Sequence, residues 1–425
     1  MKIKVSFFIL FLFLVSGTFA QTFKAGAAKR DITPEHLLPI SGGMGEPVMP
    51  TDFQGKLSTR VLVLENNGTR VAIVGIDNIG WPSYLGDLSR KKIKGVKPEN
   101  VLIGVTHTHS APDAYGFPDE KGNTAADLNY LKWCADQIAD AVNEAVTKLE
   151  PASLKTAVDK AKGKIAYNYY APELYDKRMG VIQVIATSGK NAGKPIATLV
   201  NYATHPEILG TSRKLLSPDL CGPLYNRIEE KGGGMALFMN SAQGGMVTAD
   251  TRLENGKEAN DWNECIRIGN LMADEALRII SPAAVQENPK VYCASKMIDF
   301  PLENEAMKFV FRNSPVAALA EKKTTDFSKV TTRINLLNIG TAQVLTIPGE
   351  ALPNIGFYVK RHMKTDQPFL FGLTNDAFGY ILTKEDFNGF ERYNYVSRTS
   401  LGEMTGEIYS REALKMIQEN PAAGQ

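Results

Sequence analysis

The feature of this sequence that most constrains its fold is a series of short apolar runs of β-strand length. The stretch "RVLVLENNGTRVAIVGID" (60–77) predicts a β-hairpin, because two apolar-rich runs flank an Asn-Asn-Gly-Thr turn. A second hairpin is predicted over 332–350. Further strands are predicted at 101–107, 180–187, 196–203 and 235–240.

Longer segments with helical periodicity alternate with these runs. Amphipathic helices are predicted at 127–150 and 263–280, and a shorter helix at 351–364 follows the second hairpin. The hydrophobic fraction of 44% is typical of a globular chain with a substantial core. We therefore predict an α/β fold of mixed β-sheets covered by helices, in a single domain over 21–425.

The first residues of the chain predict a secretory signal peptide at 1–20. Lys2 and Lys4 precede an apolar run over 5–15, and "TFA" before Gln21 resembles a small-residue cleavage site. The run is shorter than the roughly 20 residues that span a bilayer, and no other stretch approaches that length. The mature chain is predicted to be periplasmic or secreted, without a transmembrane segment. A net charge of +2 implies no nucleic-acid partner and is compatible with transient membrane-surface contact.

The four cysteines argue against a thiolate metal site, and they could be either disulfide-bonded or free thiols. None forms a C-x-x-C pair, so a thiolate metal site is not expected. Export permits disulfides, for which three pairings exist, and buried free thiols are the alternative. The residues concerned are Cys134, Cys221, Cys265 and Cys293.

Polar clusters follow four of the predicted strands at the point where each strand ends. They are "THTHS" (106–110), "THPE" (204–207), "SAQGG" (241–245) and "PGE" (348–350). In an extended segment residues i and i+2 share a side, so His107 and His109 are predicted to share a cavity. His205 and Glu350 supply a second imidazole and a carboxylate. Two histidines and one carboxylate with an open position suit a catalytic zinc.

Each cluster also fits a structural role when it is taken alone. His205 fits a half-buried residue with satisfied hydrogen bonds, and "PGE" is a common turn. The glycines after Gln243 fit a tight turn with positive φ. His36 and His362 lack a comparable context and are predicted at the surface. The residues alone therefore predict an exported, metal-dependent enzyme and do not define its reaction.

Taken in order, segments over roughly 25–400 resemble the neutral (alkaline, non-lysosomal) ceramidase family. The ordered set is "AGAAKRDITP", "THTHSAPD", "YDKRMGVIQV", "NYATHPEILG", "LSPDLCG", "NSAQGG", "IPGEA" and "GLTNDAFGYILTKEDF". The segment with the first histidine pair and the "NDAFGYILTKEDF" segment are the most specific of these motifs.

The resemblance implies a neutral-ceramidase-like catalytic fold with a catalytic zinc. The implied ligands are His107, His205, Glu350 and Tyr380. His109 is implied to lie next to the metal, as a hydrogen-bond partner or proton carrier. Tyr393 in "FERYNY" falls near the position of a further active-site tyrosine, with slightly different spacing.

Three departures from the family pattern concern substrate recognition more than the metal. The family has a serine in a G-D-[IV]-S-P-like stretch, whereas this chain reads "QGGMVTAD", with Thr248 as the nearest counterpart and Ser241 nearby. Tyr169 stands where the family has an arginine. The chain stops soon after the catalytic-domain motifs, so the C-terminal immunoglobulin-like domain of characterised ceramidases is predicted to be absent.

We therefore predict an exported zinc-dependent amidohydrolase that cleaves the N-acyl amide of ceramide, or of a related acyl amide, by metal-activated water. This reaction belongs to sphingolipid metabolism. The predicted catalytic residues are His109, Thr248 and Tyr393. Alternatives are an esterase or amidase acting on another substrate such as an acylated glycan, a non-catalytic zinc-binding relative and, less favoured, a metal-free scaffold. A two-chain lipid requires an apolar slot beside the metal, and no stretch of the sequence clearly supplies one.

Overall fold

The computed structural model describes residues 23–43, 45–117, 124–320 and 326–424. The predicted signal peptide lies outside these ranges. Within them, no helix combines the length and the apolar character that a membrane crossing requires.

Strands and helices alternate along the described chain. The strands are β1 (Lys24–Asp31), β2 (Ile40–Ser41), β3 (Asp52–Phe53), β4 (Ser58–Asn66), β5 (Thr69–Ile76), β6 (Val101–Val105), β7 (Ala111–Pro112), β8 (Glu150–Lys160), β9 (Ala166–Asn168), β10 (Arg178–Ala186), β11 (Pro195–Tyr202), β12 (Leu215–Leu216), β13 (Met235–Asn240), β14 (Val247–Ala249), β15 (Val291–Pro301), β16 (Lys329–Ile339), β17 (Ala342–Thr346), β18 (Glu350–Ala351), β19 (Gln367–Phe371) and β20 (Tyr380–Ile381). The α-helices are α1 (Ser83–Lys92), α2 (Leu128–Thr147), α3 (Cys221–Glu230), α4 (Trp262–Ile280), α5 (Glu305–Asn313), α6 (Pro353–His362), α7 (Asn394–Arg398) and α8 (Thr405–Glu419).

Two sheets of mixed strand direction dominate the fold. The larger has the strand order β13-β11-β10-β8-β1-β4-β5-β6, and the smaller has the order β15-β16-β17-β19. Most neighbours are antiparallel, and the parallel pairs are β11 with β13, β5 with β6, and β17 with β19. The predicted α/β class with mixed sheets covered by helices is confirmed.

The two sheets pack face to face between two helical layers. Helix α2 covers the larger sheet at β1 and β4, while α3 and α4 cover it at β13, β10 and β8. Helices α6 and α8 cover the outer face of the smaller sheet. The chain is thus a four-layer α-β-β-α sandwich.

Burial on both faces explains why the strands read as unbroken apolar runs. In β4, Val61 and Val63 pack on the side of α2, whereas Leu62 and Leu64 pack between the two sheets. Side chains alternate across a strand, so a strand covered on both sides needs apolar residues at every position.

Local sequence signals set the ends of the elements. The β4–β5 hairpin turns at Asn67 and Gly68, whose φ values of 51° and 76° suit the tight turn that matches strand twist. Helix α2 begins after Asp127, whose side chain accepts hydrogen bonds from the backbone N–H groups of Asn129 and Tyr130. The predictions of this hairpin and of the two long amphipathic helices are confirmed.

The cysteines and the isolated histidines lie outside the candidate site. All four cysteines are free thiols, and all but Cys293 are buried. His36 and His362 are exposed, as predicted. The free-thiol alternative for the cysteines is therefore the one that the structure shows.

The larger sheet curves so strongly that its edge strand β13 packs back against β4, β5 and β6. A twist of about 20–25° per strand pair accumulates across a wide sheet and favours such curvature. Asn240, the last residue of β13, joins the ends of three strands. Its side-chain amide donates to the backbone carbonyls of Thr106 at 3.2 Å and Thr204 at 2.8 Å. The polar clusters at these strand ends therefore meet in one place.

Candidate metal centre

His107 follows the end of β6 with its side chain buried. Its φ of +71° is left-handed, which is uncommon for a residue with a Cβ, and such strain concentrates at functional sites. The backbone N–H of His107 donates to the Asn78 carbonyl at 2.9 Å and holds the turn. The ring centroids of His107 and His109 lie 4.8 Å apart. The two rings are thus neighbours because of this turn, and the extended conformation inferred from the sequence is wrong here.

His107 and His205 are both oriented by a hydrogen bond from one ring nitrogen to a backbone carbonyl. His107 Nδ1 bonds the Ile79 carbonyl, and His205 Nδ1 bonds the Val247 carbonyl at 2.7 Å. A carbonyl only accepts, so Nδ1 carries the proton in each ring. Nε2 of each ring is then the nitrogen that can bind a metal in its deprotonated form, as is typical of metal-binding histidines.

Glu350 provides the carboxylate on which both rings converge. Its Oε2 atom lies 3.4 Å from His107 Nε2 and 3.1 Å from His205 Nε2. Ligand atoms placed tetrahedrally at about 2.0–2.1 Å from zinc are about 3.4 Å from one another. Both distances to the Glu350 oxygen therefore fit an ion of the size of zinc.

A short parallel pairing of β18 with β20 sets Glu350 beside Tyr380. The close approach requires glycine, because a Cβ on Gly349 would lie 2.4 Å from the Gly379 carbonyl oxygen. The Tyr380 hydroxyl bonds Glu350 and lies 3.6 Å from the Met246 sulfur. The "PGE" segment is thus a turn that delivers Glu350 to the site, and Tyr380 adds a fourth candidate donor atom.

Burial and neighbouring charge set the ionisation of the converging groups. Burial raises the pKa of Glu350, but His107 and His205 outweigh it and hold that pKa well below its ordinary value. Burial lowers the pKa of His205, but Glu350 and Glu207 outweigh it and raise that pKa to about 9. Burial and the Glu350 charge raise the pKa of Tyr380 well above its ordinary value. The cluster therefore contains a buried carboxylate that a metal cation would stabilise.

His109 lies next to these groups and has a different partner. Candidate ligand atoms of His107, His109 and His205 all lie within 4.8 Å of one another. His109 Nδ1 lies 3.3 Å from Glu207 Oε2, and its buried Nε2 has no hydrogen-bond partner in the described part of the chain. Burial is the main cause that lowers the pKa of His109 to about 3. The ring is therefore neutral, and its Nε2 lone pair is not engaged by any described residue.

Thr248 lies beside His205 and Glu207. The backbone of Thr248 bridges that of His205, and the Thr248 hydroxyl donates to the Glu207 carboxylate. Ser241 is buried, and its hydroxyl has no hydrogen-bond partner among the residues that the structure describes. Sequence reasoning did not assign a role to Glu207. Its position two residues after His205 is the signal that points to it.

The segment "FERYNY" brings Tyr395, rather than Tyr393, to the cavity beside the candidate ligands. Tyr395 lines this cavity, and its ring centroid lies 6.0 Å from that of Tyr380. Tyr393 is buried, with ring centroids 5.6 Å from Tyr170 and 4.1 Å from Phe390. Helix α7 begins directly after Tyr393, so the two tyrosines two residues apart face different sides.

An apolar cavity opens beside His107, His109 and Glu350. Its walls are mainly aromatic and aliphatic, and α5 contributes several of them. Representative wall residues are Tyr84, Phe117, Met307, Val310, Phe311 and Phe378. These residues lie far apart in sequence. No single stretch could therefore predict an apolar slot, although the fold forms one.

The fold and the site together define a class: a four-layer α/β chain with a buried histidine–carboxylate centre at its strand ends. The chain is similar to the crystal structure of neutral ceramidase from Pseudomonas aeruginosa, with a TM-score of 0.76 and 17% identity over 95% of this chain and 76% of that chain. It is also similar to a ceramidase structure complexed with C2, with a TM-score of 0.77 and 17% identity over 95% of this chain and 77% of that one. No family model and no curated protein matches the sequence. The chain therefore has the neutral ceramidase fold, as its motifs predicted, while the ligands and the reaction stay predictions.

Proposed function

We propose that this chain is an exported zinc-dependent amidohydrolase that cleaves the N-acyl amide of ceramide or a related acyl amide. The observation that supports this most is the convergence of His107, His205 and Glu350 beside an apolar cavity. Tyr380 completes the proposed ligand set. When bound, zinc supplies a Lewis acid that polarises the scissile carbonyl and lowers the pKa of water to about 7.

The chain's own groups take the remaining tasks of hydrolysis. His109 presents its neutral Nε2 beside the proposed ligands, and we assign it the transfer of a proton from water to the leaving nitrogen. Glu207 holds the other ring nitrogen and so fixes the direction of Nε2. Thr248 in turn holds Glu207. Tyr395 faces the cavity and is the candidate donor to the developing oxyanion, a role that the sequence had suggested for Tyr393.

The apolar cavity is the proposed acyl site. Each CH₂ group buried there contributes about 0.8 kcal/mol to binding, so an acyl chain provides much of the substrate affinity. Export, to the periplasm or outside the cell, rests on the predicted signal peptide at 1–20. Transient contact with a membrane surface would bring a lipid substrate to an exported enzyme.

A non-catalytic zinc-binding relative is the second candidate, and the environment of Thr248 favours it. The hydroxyl of Thr248, the nearest counterpart of the family serine, is engaged with Glu207. This candidate predicts bound zinc without turnover of any acyl amide.

Fatty acid release from a short fluorescent ceramide tests the proposal. The mature chain is compared with His107→Ala, with a chelator-treated sample and with His362→Ala, a matched change at an exposed histidine. Release that requires both His107 and metal, with one zinc per chain, is the expected result. Zinc at full occupancy without release of acid from this or any other acyl amide would support the binding protein instead.

A further inference from the structure

A second cavity lies next to Glu207, which does not line the apolar cavity. Glu207 and Thr248 line this second cavity, while His109 lines the apolar one. The contact of 3.3 Å between Glu207 and His109 therefore forms the boundary between the two. A substrate whose scissile carbonyl lies at this boundary would place its acyl part on one side and its leaving group on the other. We call the second cavity the polar groove.

The walls of the polar groove differ in chemistry from those of the apolar cavity. They present carboxylates, hydroxyls and an amide, from Glu207, Glu258, Ser212, Thr251 and Asn260. Glu258 is held in place because it accepts a hydrogen bond from the Tyr167 hydroxyl at 3.0 Å. Donors and acceptors are thus interspersed, which suits a ligand that carries several hydroxyl groups.

Tyr169 adds an exposed aromatic surface to this groove. Its side chain is 58% exposed, although large aromatic residues usually bury most of their surface. The backbone N–H of Tyr169 donates to the Met246 carbonyl at 2.8 Å, which fixes its position beside the metal centre. An aromatic face flanked by hydrogen-bonding groups matches a saturated ring with C–H groups on its face and hydroxyl groups at its edge.

We propose that the polar groove is a leaving-group subsite for a polyhydroxylated ring, which makes an acylated sugar the substrate class. This inference rests on the proposed hydrolase function. Hydrolysis breaks the bond between the acyl carbon and the nitrogen or oxygen of the sugar. Water gives its hydroxyl to the acyl carbon and a proton to the leaving atom, so no other reactant is needed.

Paired substrates test the subsite. N-octanoyl-glucosamine and N-octanoyl-cyclohexylamine share the acyl chain and a six-membered leaving group, and only the first carries hydroxyl groups. We expect kcat/KM to favour the sugar amide. Asn260→Ala, which removes a hydrogen-bonding group from the groove, should lower this preference about tenfold, equivalent to about 1.4 kcal/mol. Tyr169→Ala should lower kcat/KM for both amides and Tyr169→Phe should retain it, and Tyr292→Ala, at an exposed tyrosine on β15, is the matched control.

A binding measurement separates this inference from the hydrolase proposal. Saturation-transfer NMR with N-acetylglucosamine reports contact with the full chain whether or not it turns over. Binding that Tyr169→Ala removes supports the subsite, even if no amide is cleaved and the hydrolase proposal fails. Hydrolysis of both amides without preference, or no binding by the wild-type chain, overturns the subsite, and the first of these results leaves the hydrolase intact.

Discussion

The bodies and the ends of the strands are both buried but differ in their chemistry. Leu62 and Leu64 in the body of β4 are fully buried and apolar. His107, His205 and Asn240, at the ends of β6, β11 and β13, are buried as well, but they are polar and bonded to backbone carbonyls. Burying apolar surface stabilises the fold, whereas a buried polar group only avoids a cost when it finds a partner. The comparison indicates that the strand bodies stabilise the fold and that the strand ends carry the candidate site.

The largest expected effect comes from removing a proposed ligand. His205→Ala should abolish tight zinc binding and lower kcat/KM by on the order of 10³, because the metal contributes several kcal/mol to the transition state. Metal analysis and thermal unfolding with and without chelator provide the measurement. Chelator should lower the Tm of the wild-type chain and leave that of the variant unchanged, since a ligand that binds the folded state stabilises it. A variant that retains zinc and activity would show that His205 is not a metal ligand.

A change in a strand body should have the opposite profile. Phe369 in β19 is fully buried between the sheets, against Gly180 on β10. Phe369→Ala should lower the free energy of unfolding by about 3–5 kcal/mol through loss of buried surface and creation of a cavity. Urea denaturation measures this loss. The zinc stoichiometry of the folded fraction should stay at the wild-type value. A loss of zinc from the folded fraction would show that the strand bodies also determine metal binding.

A buried charge pair outside the site shows polar residues that are expected to contribute to stability and not to metal binding. Lys360 on α6 donates to Asp176 at 2.9 Å, and Arg178 bonds the same carboxylate. Burial raises the pKa of Asp176, but Lys360 and Arg178 outweigh it and lower that pKa to about 2 from 3.8. The folded-state pKa is depressed, so the contribution to stability is present above about pH 4 and is lost as pH falls towards about 2.

Asp176→Asn tests this contribution through unfolding measured across the acid range. We expect the wild-type chain to lose on the order of 2–3 kcal/mol of stability between pH 5 and pH 2 from this group, and the variant to lose that much less. At neutral pH the variant should be less stable than the wild type, because Lys360 remains buried without its carboxylate partner. Equal acid sensitivity of the two proteins would show that Asp176 is not held in its charged form.

A smaller effect is expected where a strand-end residue acts through its neighbour. Glu207→Gln keeps the size of the side chain but removes the carboxylate that faces His109 Nδ1. Loss of such an orienting partner typically costs about 10–100-fold, which we expect in kcat with zinc content retained. Glu207→Asp should recover part of the activity. An unchanged kcat in the Gln variant would remove Glu207 from the proposed mechanism.

The sequence predicted the strand bodies better than the strand ends, for a physical reason. Apolar period and turn residues act locally, so the hairpin at Asn67 and the helix after Asp127 could be inferred. The positive φ of His107 and the choice of Tyr395 over Tyr393 depend on turns whose direction is set by distant contacts. Asn240 joins three strands that are far apart in sequence, and no local pattern announces such a role.

The apolar cavity combines features of the strand bodies and of the strand ends. Its walls are apolar, as the strand bodies are, but they lie beside the candidate metal ligands. Helix α5 turns Val310 into this cavity and leaves Phe309 47% exposed to solvent. The two residues are therefore adjacent positions on one helix, and only a change at Val310 is expected to affect acyl binding.

Val310→Ala should reduce the gain in kcat/KM that accompanies lengthening the acyl chain from acetyl to octanoyl. Two fewer methyl groups at the wall should remove about 1 kcal/mol of contact with a long chain, or roughly fivefold. Phe309→Ala is the control, because its side chain faces solvent. Kinetics with an acyl series of one leaving group measure the slope. An identical slope in both variants would place the acyl chain elsewhere, and the apolar cavity would then belong to the core and not to the site.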